Sequence, residues 1–145
     1  MNFHELFPRF ITWVEFCSRD ILDRGFPLCD DQIEMARNIG ISCPERIRLL
    51  FVEYVPRPDD PDLKHALDEF QMLGVETSGV TFGYGIFIRS GCSNNKLLSH
   101  EFRHVFQYEQ AGSIAAFLSI YFQQILDFGY WHAPLEVDAR KFELE

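Results

Sequence analysis

At 145 residues, with 47% hydrophobic side chains and 15 Phe, the chain fits one domain able to bury roughly 68–70% of its unfolded surface without disulfides. A net charge of −9 excludes the clustered Lys and Arg with which nucleic-acid binders replace phosphate counterions, so nucleic acid is not an expected partner. No CxxC pair, signal peptide or bilayer-spanning stretch is read: Cys17, Cys29, Cys43 and Cys92 are scattered and Ile114 to Phe122 is short, so a reduced, cytoplasmic protein off the membrane is expected.

Phe3, Phe7, Phe10, Val14, Cys17 and Ile21 recur at helical spacing and predict a first helix that stops near Gly25 and Pro27. Asp30 and Asp31 are placed to cap a second from Gln32 to Asn38, ended by Gly40. Arg46 to Val55 reads as a strand, Asp59 to Asp62 opens a helix running to about Leu73, and Val80 to Arg89 reads as one further strand. Asn94 or Asn95 caps a helix from Lys96 to about Ala111, another spans Ser113 to Asp127, and Pro134 suits the first turn of a last helix to about Phe142. The order predicts a single α+β domain, helical over about 1–44 and with a functional core over about 46–143 that holds a small sheet whose third strand has no clear place.

His100-Glu101-Phe102-Arg103-His104 is an HExxH pentad in the middle of a predicted helix. Residues four apart on a helix differ by about 40° in direction, so both imidazoles can reach one ion, and zinc accepts two His nitrogens while leaving a position for water. Glu101 neighbours a ligand but points elsewhere around the helix, which suits a general base rather than a ligand. Buried polar groups on an otherwise apolar helix are costly without such a partner. One Zn2+ per chain is therefore expected.

A third ligand must come from elsewhere. Glu109 lies on the far side of the helix, and Gln107 and Gln110 stand where a metzincin needs Gly and His. Asp127, His132, Glu136 and Asp138 remain, and Glu136 is favoured because it opens a helix just after Pro134, with His132 next. Tyr130 and His132 are candidates for stabilising an oxyanion, with packing in the aromatic run from Phe128 to Trp131 as the alternative, and Gln107 shares the His face one turn on, for a bond within the site or a surface role.

The set His100, Glu101, His104 and Glu136 resembles the gluzincin clan of zinc peptidases, which hold the metal with HExxH and a Glu on a later helix. The stretches VTFGYGIFIR, LLSHEFRHVFQYEQAG and GYWHAPLEVDAR are also similar to a group of compact bacterial proteins with an HExxH core. The resemblance covers about the last 65 residues and implies a minimal zincin-like fold, with an edge strand packed on the motif helix. That strand, Val80, Thr81, Phe82, Gly83, Tyr84 and Gly85, would bind a peptide as an added strand, giving the two glycines a use; a bulge or crowded packing contact explains them equally. Arg140 stands where thermolysin-like enzymes orient a ligand His with Asp, which leaves Asp127 or a backbone carbonyl for that task. The expected activity is hydrolysis of a peptide or protein substrate. The alternatives are a zinc-binding interaction domain without turnover and a structural subunit whose motif is empty.

Overall fold

The computed structural model describes residues 3–145. Helix α1 (Phe3–Arg24) leads into a two-residue strand β1 (Phe26–Pro27), helix α2 (Asp30–Ile39), a single 3-10 turn at Pro44–Arg46 and strand β2 (Arg48–Val52). Helix α3 (Pro61–Glu69) is followed by β3 (Gly79–Phe82), β4 (Gly85–Arg89), α4 (Asn95–Ala111), α5 (Ile114–His132) and α6 (Pro134–Lys141). Among the described residues the fold is α+β, six helices around a four-stranded mixed sheet of order β1-β2-β4-β3. No helix among the described residues is long and apolar enough to cross a membrane.

Period-two alternation gives the sheet two apolar faces. Leu50 and Phe87 point to the core built with α1, α3 and α5, while Leu49, Ile86 and Ile88 point to the core shared with α2 and α4. β2 and β4 run parallel, with Leu50 opposite Phe87, and β3 closes the sheet as an antiparallel edge.

The single strand expected over Val80 to Arg89 is instead a hairpin that turns at Gly83-Tyr84, with Phe82 opposite Gly85. Gly85 is a crowding requirement: a Cβ there would lie 2.8 Å from Cβ of Ile21, which is fully buried in α1. The packing reading of this glycine therefore prevails over peptide access. β2 is shorter than expected because Pro44 starts a 3-10 turn, and α3 ends at Glu69. Cys29 rather than Asp30 or Asp31 precedes α2, and the Gln32 side chain accepts the Cys29 N–H at 2.9 Å. The short β1, pairing Phe26 with Leu49, has no signal in so brief a segment.

Candidate metal centre

Helix α4 is fixed at both ends. Asn94 Oδ1 accepts the Leu97 N–H at 2.8 Å and Gly112 ends the helix in a left-handed turn. Leu98, Phe102 and Val105 bury one stripe against the sheet, which turns His100, Glu101 and His104 toward a cavity between β3, α4, α5 and α6. Helix α6 is held on α4 by Arg103, which pairs with Asp138 at 2.8 Å, donates to the Ile39 carbonyl and lies between the Phe106 and Phe142 rings. Pro134 starts α6, and its first turn aims Glu136, 3% exposed, back at the motif.

The three expected ligands converge. His100 Nε2 and His104 Nε2 are 3.2 Å apart, His100 Nε2 is 3.2 Å from Glu136 Oε1, and His104 Nε2 is 3.2 Å from Glu136 Oε2. Four donors about 2.0–2.1 Å from a tetrahedral zinc lie about 3.3 Å from one another, so this spacing fits the ion.

The other ring nitrogens fix the tautomers. His100 Nδ1 is 2.8 Å from Glu143 Oε2, a carboxylate that can only accept. His104 Nδ1 is 2.8 Å from Gln107 Oε1, and the Gln107 amide nitrogen donates to the Leu135 carbonyl and to Asp138 Oδ2, both at 2.9 Å, so its oxygen is the end that faces the imidazole. Both Nδ1 atoms therefore carry the hydrogen, and both Nε2 lone pairs face the same point. Two lone pairs at that distance require a cation or a proton between them, and the donor set is one that zinc accepts. No other group of His, Cys, Asp or Glu among the described residues offers such a cluster.

Charge follows the geometry. Burial alone would lower the His104 pKa, but the Glu136 charge and hydrogen bond outweigh it and raise the value from 6.5 to about 9. His100 is raised in the same direction, with burial opposed by Glu136 and Glu101. Burial would raise the Glu136 carboxyl, yet the His104 charge and hydrogen bonds from His100, His104 and Tyr121 hold it well below the usual carboxylate range; the Tyr121 hydroxyl donates to its Oε2 at 2.7 Å.

Comparison of the chain with protein-family models, with curated proteins and with solved structures gives no match.

Glu101 is 5% exposed and lines the cavity beside His100, His104 and Glu136 without joining their cluster, and Thr81 Oγ1 donates to its Oε1 at 2.9 Å. Val80, Thr81 and Phe82 also line the cavity, whereas Gly83, Tyr84 and Gly85 belong to the hairpin turn and its start, away from it. Tyr84 instead donates to Glu109 Oε2 at 2.6 Å. At Gly129, where φ is 77° and ψ is 167°, α5 kinks. Tyr130, 41% exposed as a residue, lines the cavity, and its hydroxyl is pushed well above the ordinary phenol range by burial and by the nearby Glu136 and Glu101. His132 emerges exposed beyond the kink and does not line the cavity, so the structure does not bring it to the ligands or to an oxyanion. Asp127 accepts from Gln123 on the surface, and the orienting task assigned to it falls to Glu143 and Gln107. Gln107 is three residues from His104 on one helix face and was readable from spacing. Glu143 lies beyond α6, where no pattern marks it.

The cavity encloses about 180 Å3, and its walls include Phe10, Met72, Leu73, Phe117 and Phe122. Gln71 and Leu73, on the segment before β3, hold left-handed backbones with φ of 57° and 52°, each costing about 1–3 kcal/mol that surrounding contacts must offset. No Lys or Arg among the described residues lines this space.

Proposed function

We propose that the chain is a zinc-dependent endopeptidase of zincin-like build, with the metal held by His100, His104 and Glu136. The observation that carries this reading is the pair of Nε2 lone pairs and the Glu136 carboxylate meeting at 3.2 Å beside an uncoordinated, buried Glu101. Bound zinc supplies Lewis acidity, which makes water acidic near neutral pH and polarises a peptide carbonyl.

The chain's residues divide the remaining work. Glu101 takes the proton from the attacking water and passes it to the leaving amine, a general acid–base role typically worth about 10²–10⁴-fold. Tyr130, a neutral phenol whose pKa its surroundings raise further, donates a hydrogen bond toward the carbonyl oxygen as charge develops there. Edge strand β3 offers backbone to an extended peptide: the hairpin register turns the N–H and C=O of Gly79 and the N–H of Thr81 away from β4. The Thr81 carbonyl is taken by the Tyr108 hydroxyl at 3.1 Å, so a peptide would pair chiefly around Gly79. The apolar walls favour apolar side chains. No Lys or Arg among the described residues lines the cavity to pair with a substrate's terminal carboxylate, which favours cleavage within a chain.

A second reading, a zinc-binding interaction domain without turnover, draws on the cavity volume of about 180 Å3, below the roughly 300 Å3 at which small-molecule sites usually begin. Glu101→Gln separates the two. It should keep zinc while abolishing cleavage of any peptide that the wild-type chain hydrolyses. Cleavage that survives Glu101→Gln would remove Glu101 from the mechanism, and a zinc-loaded wild-type chain that cleaves nothing in a diverse peptide library would favour the interaction domain.

A further inference from the structure

Glu101 has three side-chain torsions and must hold its carboxylate beside the metal without coordinating it. Only one protein donor reaches that carboxylate among the described residues, the Thr81 hydroxyl, 2.9 Å from Oε1. Oε2 takes no hydrogen bond from the protein and keeps access to solvent, so it is open to cavity water. One oxygen is thus tethered and the other is free to accept a proton.

The tether is itself fixed from both sides. Thr81 is 5% exposed on edge strand β3, and its side chain faces α4. Its hydroxyl has a single proton and two acceptors, Glu101 Oε1 at 2.9 Å and the Glu101 main-chain carbonyl at 3.1 Å. The carboxylate is the nearer and the charged one, and hydrogen bonds to charged acceptors are the stronger kind. On its backbone side, the Thr81 carbonyl accepts the Tyr108 hydroxyl at 3.1 Å, and the Tyr108 ring stacks on Phe117 with centroids 3.8 Å apart. Glu101 and Tyr108 are seven residues apart and so share one face of α4. The helix that carries the base grips Thr81 twice, once through its hydroxyl and once through its carbonyl.

We infer that Thr81 is a positioning residue for the general base, holding Glu101 Oε1 so that Oε2 faces the water to be deprotonated. This deepens, and rests on, the hydrolytic reading of the site. Loss of the tether would let the carboxylate swing toward the metal or away from the water, and displacement of a reacting group by about 1 Å can cost about 100-fold in rate. Binding of metal and peptide would be spared, because His100, His104, Glu136 and the backbone of β3 are untouched.

The test uses Thr81→Val, which keeps the branched shape and removes the hydroxyl, and Thr81→Ser, which keeps the hydroxyl. Each full-length zinc-loaded chain is assayed for zinc content, for kcat and KM on a peptide that the wild type cleaves, and for affinity to acetohydroxamate, whose metal-chelating hydroxyl gives its proton to the base. The expected result is about one zinc per chain throughout, with KM changed less than about twofold. In Thr81→Val, kcat should fall about 10–100-fold and acetohydroxamate affinity at least fivefold toward that of Glu101→Gln. Thr81→Ser should recover most of both. Wild-type kcat and hydroxamate affinity in Thr81→Val, or losses that Thr81→Ser fails to restore, would overturn the inference while leaving the hydrolytic reading intact. If the wild type binds zinc but cleaves no peptide, the hydrolytic reading fails, and the hydroxamate comparison still decides whether Thr81 positions Glu101. A chain that takes up no zinc overturns both.

Discussion

Raising the pH from 7 to 9 should tighten zinc binding steeply, because the metal competes with a proton held by the same donors. His104, raised from 6.5 to about 9 by Glu136, is protonated at neutral pH in the metal-free chain, and the shift corresponds to about 3 kcal/mol. Since His104 is only 7% exposed, solvent screening takes little from that figure. Zinc must expel this proton, so the apparent affinity at pH 7 should lie about 50-fold below its value near pH 9, rising by up to about tenfold per pH unit and less steeply as pH 9 is approached. His100, raised in the same direction, adds to the slope. The linked effect on folding has a definite sign. With the folded pKa above the unfolded one, the stabilisation is complete below about pH 6.5 and is lost as pH rises through about 9 in the metal-free chain only. Competition with a zinc chelator across pH 6 to 9.5, with thermal melts of loaded and metal-free protein, would measure both. An affinity flat between pH 7 and 9, once corrected for the chelator, would refute the claim that Glu136 holds His104 protonated.

Glu136→Ala should reduce zinc to a trace, whereas His132→Ala should leave it unchanged by elemental analysis, since His132 lies outside the cavity. Glu143→Gln, which replaces the carboxylate accepting from His100 Nδ1, should weaken zinc about 10–100-fold with no change of fold by circular dichroism. Gly85→Ala should cost about 1–3 kcal/mol in denaturant unfolding, because its new methyl meets Ile21 in a filled core.

The parts of the site legible in the sequence were those written in helical spacing. His100 and His104 align because four residues make slightly more than one turn, Asn94 and Gly112 bound the helix that carries them, and Pro134 starts the helix that delivers Glu136. Pairing across the sheet was less legible. The apolar run from Val80 to Arg89 is compatible with one long strand or with two short ones, and only the Gly83-Tyr84 pair between VTF and GIFIR hinted at a hairpin. The parallel register of β2 on β4 depends on cores packed on both faces, which no local pattern reports. Thr81 and Glu143 were obscure for a related reason. Each acts through one polar atom brought across from a distant segment, 20 and 43 residues away from Glu101 and His100, and periodicity carries no information about such contacts.

Anomalous diffraction at the zinc edge shows whether His100, His104 and Glu136 form a metal centre. Crystals grown with zinc at about pH 8 should give a single strong peak per chain, in contact with Nε2 of His100, Nε2 of His104 and the Glu136 carboxylate. Absence of a peak there, or zinc bound only at other groups, would rule out a metal centre at these three residues.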